Sequence, residues 1–244
     1  MILVSKSQIK LITSLQQKKY RNKLGLFVAE GPKVINELLS AGISLHSLLT
    51  TQTHLFKVNE IQLVTDIELG KISYLKNANN SVAIFKIPTS ELLVESTLTV
   101  ALDAVRDPGN LGTIIRLCDW FGVKQLVCSL DTVDCYNPKV IQATMGSIAR
   151  VNVVYLELSE YIKKSNLPVF GGCMSGSSIY QEHLPENAII VLGNEANGIS
   201  EKINFLLTHK VTIPQFGEQK ETESLNVATA TAIILSEFKR STEK

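Results

Sequence analysis

The spacing of hydrophobic positions gives the first part of the chain a mixed helical and strand pattern. Apolar residues at Ile9, Ile12 and Leu15 recur at helical spacing, which predicts an amphipathic helix over 5–18. The further predicted elements are a strand at 24–29, a helix from Gly31-Pro32 to Gly42, strands at 45–50, 61–65 and 82–87, and a helix capped by Asp66. We interpret residues 1–90 as a small α/β domain.

A different pattern follows a polar segment that begins at Pro88. Short runs rich in β-branched residues alternate with helical patterns, and these runs lie at 99–105, 125–129, 151–156, 169–173, 189–192 and 211–213. Such alternation predicts a parallel sheet with helices on both faces. We therefore predict a linker at 91–97 and a second α/β domain over 98–244. Ligands of such sheets bind beyond the carboxyl ends of the strands, so chemistry is expected in the loops there.

The composition is that of a globular protein, with 45% hydrophobic and 19% charged residues among 244. The longest apolar run, Ala188 to Leu192, is far shorter than the roughly 20 residues of a membrane-spanning helix. We expect a cytoplasmic protein without a membrane segment.

The four cysteines, Cys118, Cys128, Cys135 and Cys173, form no C-x-x-C pair and have no histidine at metal-ligand spacing. We expect neither a metal site nor a disulfide framework. Small hydrophobic side chains in a reducing compartment are the simplest interpretation.

Positive charge is concentrated at the beginning of the chain, although the net charge is only +1. Six basic residues precede the first acidic residue, Glu30: Lys6, Lys10, Lys18, Lys19, Arg21 and Lys23. A basic head of this kind could contact phosphates. A solvated helix face that keeps the protein soluble would give the same pattern.

The loop after the run 99–105 contains Asp107-Pro108-Gly109-Asn110-Leu111-Gly112 and leads into a helix carrying Arg116. Pro108-Gly109 predicts a tight turn. A helix N-terminus followed by an arginine suits a phosphate. The alternative is that Asn110 only caps the helix and that Arg116 is an ordinary surface residue.

Two later loops carry further candidates. Glu195 lies between Gly193 and Gly198 after the run 189–192, and Ser200 could cap the helix that follows. The third loop places Ser224 and Asn226 before the last helix. Taken singly, Glu195 could be a solvated turn residue and Ser224 a simple N-cap.

Together, the three loops resemble the motifs of the SpoU-type (TrmH-like) RNA ribose methyltransferases of the SPOUT class. The match covers about 98–240 and consists of D-x-V-x-D-P-x-N-x-G-x-I-x-R from Asp103, L-G-x-E-x-x-G-I-S from Leu192, I-P at Ile213, and S-L-N-V from Ser224. Residues Lys19 to Arg21 and Gly25 to Gly31 (G-x-F-x-x-E-G) are similar to the ribosomal-protein-like substrate-binding domain that often precedes this catalytic domain.

The resemblance implies a 2'-O-methyltransferase that uses S-adenosylmethionine, needs no metal, folds as an α/β trefoil knot and works as a homodimer. By position, the implied catalytic residues are Asn110, Arg116, Glu195, Ser224 and Asn226. The implied cofactor-binding residues, which act largely through their backbone, are Gly193, Ile213 and Leu225.

Some points depart from the family pattern or stay open. Three extra residues lie between Gly217 and Ser224, Gln215 replaces a common methionine, and Leu117-Cys118 replaces a frequent T-A pair. Arg116 is either the general base or a phosphate clamp, since guanidinium is effectively always protonated. Ribosomal RNA is favoured by the basic first domain. The alternatives are tRNA and a non-catalytic RNA-binding module, whereas the glycine fingerprint of a nucleotide-dependent oxidoreductase is absent.

Overall fold

A computed structural model describes residues 3–90, 97–217 and 224–241. The helices are α1 Lys6–Ser14, α2 Lys18–Leu24, α3 Pro32–Ser40, α4 Asp66–Gly70, α5 Pro108–Trp120, α6 Pro138–Thr144, α7 Leu158–Lys164, α8 Glu201–Asn204 and α9 Val227–Arg240. The strands are β1 Leu26–Glu30, β2 Leu45–Thr50, β3 Gln62–Leu63, β4 Ser81–Lys86, β5 Thr99–Leu102, β6 Gln125–Ser129, β7 Asn152–Leu156, β8 Val169–Ser178, β9 Ile189–Leu192 and β10 His209–Thr212.

The chain forms two compact units. The first contains residues 1–89 together with 134–149, and the second contains 90–133 together with 150–244. By its contacts, the segment carrying α6 therefore belongs with the first unit. The predicted linker at 91–97 lies, apart from Thr97, outside the described residues, and the predicted domain bounds remain predictions.

The first unit is built on a four-stranded sheet in the order β1-β4-β2-β3, in which β4 runs antiparallel to both of its neighbours. All five residues of β1 are buried. The apolar stripe of α3, at Val34, Ile35 and Leu38, is also buried. The predicted α/β character of this unit is confirmed.

The helix predicted over 5–18 is interrupted. Helix α1 begins with a capping box between Ser5 and Gln8 and ends at Ser14, and α2 starts at Lys18. The Thr13 and Ser14 hydroxyls bond to carbonyls of the preceding turn, a contact that weakens a helix end. The prediction that Asp66 caps α4 is wrong, because the Thr65 hydroxyl accepts from Glu68 N and Asp66 is the first helical residue.

The second unit contains a six-stranded sheet in the order β10-β8-β9-β5-β6-β7, and every paired strand in it is parallel. The central strands β5 and β9 are buried along their whole length, as expected for strands covered on both faces. The predicted parallel α/β sheet is thus confirmed. Strand β5 is shorter than predicted and β8 is longer, reaching Ser178.

Within the described part of the chain, no helix is long and apolar enough to cross a membrane. The same residues contain no group of three or more His, Cys, Asp or Glu side chains that could hold a metal ion. Cys118, Cys128 and Cys135 are buried and Cys173 is half-buried. Burial raises the pKa of the Cys118 thiol to about 12, so this residue behaves as a packed hydrophobe.

Candidate active site

Helix α5 begins directly after the first candidate loop, and its N-cap is Asp107. The Asp107 carboxylate accepts a hydrogen bond from Asn110 N at 2.8 Å, and Pro108 occupies the first turn, where no N–H is needed. The alternative that Asn110 caps this helix is therefore wrong. Because the cap is supplied by Asp107, the Asn110 side chain is available for other contacts.

Three side chains from the three loops form one chain of hydrogen bonds. The Asn226 amide nitrogen donates to Asn110 Oδ1 at 2.8 Å, and the Asn110 amide nitrogen donates to Glu195 Oε1 at 2.9 Å. Asn226 is the N-cap of α9, and its Oδ1 accepts from Ala228 N and Thr229 N. The Glu195 and Asn226 side chains are exposed, and Asn110 is half-buried.

The orientation of the Asn110 amide follows from this chain. Asn226 uses its oxygen on the helix N-terminus and can only donate toward Asn110, so Asn110 must present its oxygen there. Its nitrogen then faces Glu195, where a carboxylate accepts. The helix cap of α9 thus determines the donor and acceptor pattern in the site.

The loop that carries Glu195 is a tight hairpin closed by its own backbone. Asn194 and Gly198 exchange two main-chain hydrogen bonds, at 3.0 and 2.8 Å. A Cβ on Gly193 would lie 2.2 Å from backbone atoms of Gly198 and Ile199, so only glycine fits there. Gly198 itself has φ +67°.

Two further side chains join this hairpin to the end of β5. The Asn194 amide nitrogen donates to Ala104 O at 2.7 Å, and the Asp103 carboxylate accepts from Ser200 N at 2.7 Å. Neither Asp103 nor Asn194 was predicted from the sequence to have a role in the site. The position of Asp103 at the start of the first motif was the one sign in the sequence that it contributes to the site. Its partner, Ser200, lies almost a hundred residues later and could not be predicted from the sequence.

Arg116 and Ser224 are not joined to this chain of hydrogen bonds in the described residues. Arg116 is exposed on α5, six residues after Asn110, which is about 9 Å along the helix axis. Ser224 is also exposed, and the cap of α9 is Asn226, so the interpretation of Ser224 as a simple N-cap is wrong. The three extra residues between Gly217 and Ser224 fall within 218–223, outside the described residues.

The residues assigned to the methyl donor offer backbone and apolar surface. Gly193 and Ile213 are half-buried, and Leu225 is exposed. Phe216, 83% exposed, lies with its ring centroid 6.4 Å from that of Tyr180. The assignment of Gly193, Ile213 and Leu225 to S-adenosylmethionine therefore stays a prediction.

Five of the six basic-head residues are exposed and one is not. The lysines at 6, 10, 18, 19 and 23 face solvent, as RNA contacts require. Arg21 is only 2% exposed and forms an ion pair with Asp134, and it also donates to Leu15 O and Gln16 O at 2.8 Å. The prediction that Arg21 contacts RNA is corrected, because its guanidinium is used inside the first unit.

Comparison with known proteins identifies the family. The model described as "SpoU rRNA Methylase family" matches residues 97–236, and that described as "MRM3-like substrate binding domain" matches 6–83. The chain belongs to the SpoU methylase family. A 23S rRNA (guanosine(2553)-2'-O)-methyltransferase, RlmP of Bacillus subtilis, is 30% identical over 91% of each chain.

Solved structures of SpoU relatives agree over almost the whole chain. A TrmH-family protein from Porphyromonas gingivalis has 36% identity and a TM-score of 0.89, covering 98% of this chain and 99% of that one. An AdoMet-bound rRNA methyltransferase from Sinorhizobium meliloti has 28% identity and a TM-score of 0.86, covering 99% and 98%. The SpoU fold and the RNA methyltransferase class expected from the motifs are confirmed.

Proposed function

We propose that this protein methylates a ribose 2'-hydroxyl of ribosomal RNA, with S-adenosylmethionine as the methyl donor. The observation that carries the proposal is the chain Asn226–Asn110–Glu195, which joins all three SpoU motif loops at the carboxyl end of a parallel sheet. Relatives that match over 91% and 99% of the chain are named as an rRNA 2'-O-methyltransferase and an rRNA methyltransferase.

Methyl transfer requires chiefly that the 2'-oxygen and the methyl carbon are held in line. The 2'-oxygen bonds to the methyl carbon as the bond from that carbon to the donor's sulfonium sulfur breaks, and the hydroxyl proton is lost. In-line displacement gains chiefly from holding the two reacting atoms at contact distance. Asn110 and Glu195, fixed through Asn226, would orient the ribose, while the backbone at Gly193, Ile213 and Leu225 would hold the donor.

Arg116 would act as a phosphate clamp. Its guanidinium stays protonated and presents a planar fork of donors that matches a phosphate. It is exposed, and the described residues give it no hydrogen bond or ion pair. We assign it the phosphate next to the methylated ribose, with water taking the proton. Ser224 is retained as a candidate for the same site.

The homodimer and the trefoil knot that the resemblance implies are part of the proposal. Trp120 lies one helical turn after Arg116, on the same face of α5, and is 84% exposed. A large aromatic side chain in this position suits a surface covered by a second copy. We place the protein in the cytoplasm, where its substrate would be found.

The test is methyl transfer from labelled S-adenosylmethionine to unmodified ribosomal RNA and, separately, to unmodified tRNA. We expect label in ribosomal RNA, and none with an Asn110→Ala variant purified in the same way. Label in neither RNA would contradict the enzymatic proposal, whereas label in tRNA alone would contradict the ribosomal substrate.

A further inference from the structure

Strand β5 ends in a backbone conformation that is uncommon for its residue type. Ala104 has φ +57°, in the left-handed region that a residue with a Cβ rarely occupies. Residues in such conformations persist only where their surroundings hold them, and they cluster at functional sites. Ala104 lies three residues before Asp107, where the first motif loop turns into α5.

Both backbone groups of Ala104 are held by side chains. Its N–H donates to Ser129 Oγ at 2.9 Å, and its carbonyl accepts from the Asn194 amide nitrogen at 2.7 Å. Ser129 is itself 3.1 Å from the Thr132 hydroxyl. The bend is therefore fixed from β6 on one side and from the Glu195 hairpin on the other.

A second contact joins the same bend to the far side of the hairpin. Asp103 is largely buried, its N–H continues the pairing with β9 by donating to Leu192 O, and its carboxylate accepts from Ser200 N at 2.7 Å. The hairpin 193–200 is thus attached to residues 103 and 104 near both of its ends. We call these two contacts, Asp103 with Ser200 and Asn194 with Ala104, the 103–104 clasp.

We infer that Asp103 and Asn194 are positioning residues for methyl transfer, which hold Glu195 against Asn110 before substrate binds. The inference rests on the proposed function. The clasp connects the loop that leads to Asn110 with the hairpin that carries Glu195. The 2.9 Å contact between these two side chains would otherwise depend on two separately mobile loops.

The two roles of Asn194 fall on different atoms of its side chain. Its Oδ1 accepts from Ala196 N and Asn197 N and so closes the hairpin locally, whereas its Nδ2 makes the contact to Ala104. Replacing the amide by a carboxylate would keep the first role and remove the second. The local fold of the hairpin and its placement can therefore be separated by one substitution.

The variant Asn194→Asp retains an acceptor for both hairpin N–H groups but faces the Ala104 carbonyl with an oxygen. We expect kcat to fall between about tenfold and a hundredfold, as misplacement of reacting groups does. The dissociation constant for S-adenosylmethionine, measured by calorimetry, should change less than about threefold, because misplacement acts on the transferring geometry rather than on donor binding. Asn137→Asp, the same change at the N-cap of α6, is the matched control and should leave kcat unaltered.

Asp103 provides an independent test. Asp103→Ala should lower kcat as Asn194→Asp does, and Asp103→Asn, which keeps an oxygen for Ser200 N, should recover most of that loss. Hydrogen exchange over residues 193–200, followed by mass spectrometry, should speed up in Asp103→Ala and not in Asp103→Asn.

The outcomes separate this inference from the function on which it rests. Wild-type kcat in Asn194→Asp, or equal losses of kcat and donor affinity, would overturn the clasp while leaving methyl transfer by the wild type intact. A wild-type protein that transfers no methyl group to any RNA would overturn the proposed function and this inference with it, even if residues 193–200 exchange faster in Asp103→Ala.

Discussion

The basic head at residues 6–23 and the three motif loops of the second unit were both expected to meet RNA, on different grounds. In the loops, residue types at fixed spacing located Asn110, Glu195 and Asn226, and the structure joins all three by hydrogen bonds. In the head, charge alone selected six residues, and Arg21 proves to be buried. The charge of a segment gives the number of its basic side chains, but it does not show which of them already form ion pairs within the protein.

After Asn110→Ala, the largest effect should come from Arg116→Lys, which keeps the charge but removes the planar fork. Loss of a preorganised donor costs about a hundredfold to a thousandfold in kcat, and we expect methyl transfer to fall at least that far. Affinity for S-adenosylmethionine should stay nearly unchanged by calorimetry. A variant that no longer binds the donor would contradict the clamp assigned to Arg116.

Arg21→Ala should act on stability rather than on chemistry. Removing one partner of a buried ion pair costs about 3 to 5 kcal/mol, because Asp134 and two carbonyls lose their donor. Chemical denaturation should show this loss, with Lys19→Ala as the exposed control within about 0.5 kcal/mol of wild type. An Arg21→Ala protein as stable as the control would contradict the internal role of Arg21.

The substitution Asn226→Asp distinguishes the role of Asn226 as the N-cap of α9 from its role as a hydrogen-bond donor to Asn110. Aspartate caps a helix as well as asparagine does, so the melting temperature should hold. The carboxylate cannot donate to Asn110, however, and the Asn110 amide cannot satisfy Asp at 226 and Glu195 together. We expect kcat to fall about tenfold to a hundredfold. Full activity would show that the orientation of Asn110 is unimportant.

The smallest effect should be that of Lys19→Ala combined with Lys23→Ala. Each lost phosphate contact should reduce, by about one, the steepness with which the logarithm of the RNA-binding constant falls with the logarithm of salt concentration. The stability of the protein should change little. Lys163→Ala, an exposed lysine of the second unit, is the control. If RNA affinity and its salt dependence equal those of the control, Lys19 and Lys23 do not contact RNA and only form a solvated helix face.

The sequence predicted elements well where local signals and burial agree. Strands 45–50, 125–129 and 189–192 were predicted to the residue, because each is a short β-branched or apolar run between polar or turn residues. The helix over 5–18 was predicted too long, since its apolar spacing continues to Leu15 while hydroxyl groups end α1 at Ser14. Strand β8 continues through polar residues that pair with β10. Because these residues form no hydrophobic pattern, the end of β8 could not be predicted from the sequence.

Contacts between residues far apart in the chain could not be predicted from the sequence. Arg21 and Asp134 are 113 positions apart, and nothing in either segment indicates the other. The motifs brought Asn110, Glu195 and Asn226 together, but the direction of their hydrogen bonds depends on Asn226 capping α9, which only the structure gives. For the same reason, the partners of Asp103 and Asn194 were not predicted.

Alkaline hydrolysis of the labelled RNA distinguishes methylation of a ribose from methylation of a base. Alkali cleaves RNA through a free 2'-hydroxyl, so a 2'-O-methyl group protects one linkage. We expect the label to appear in an alkali-resistant dinucleotide. Label recovered as a mononucleotide would place the methyl group on a base and contradict 2'-O-methylation.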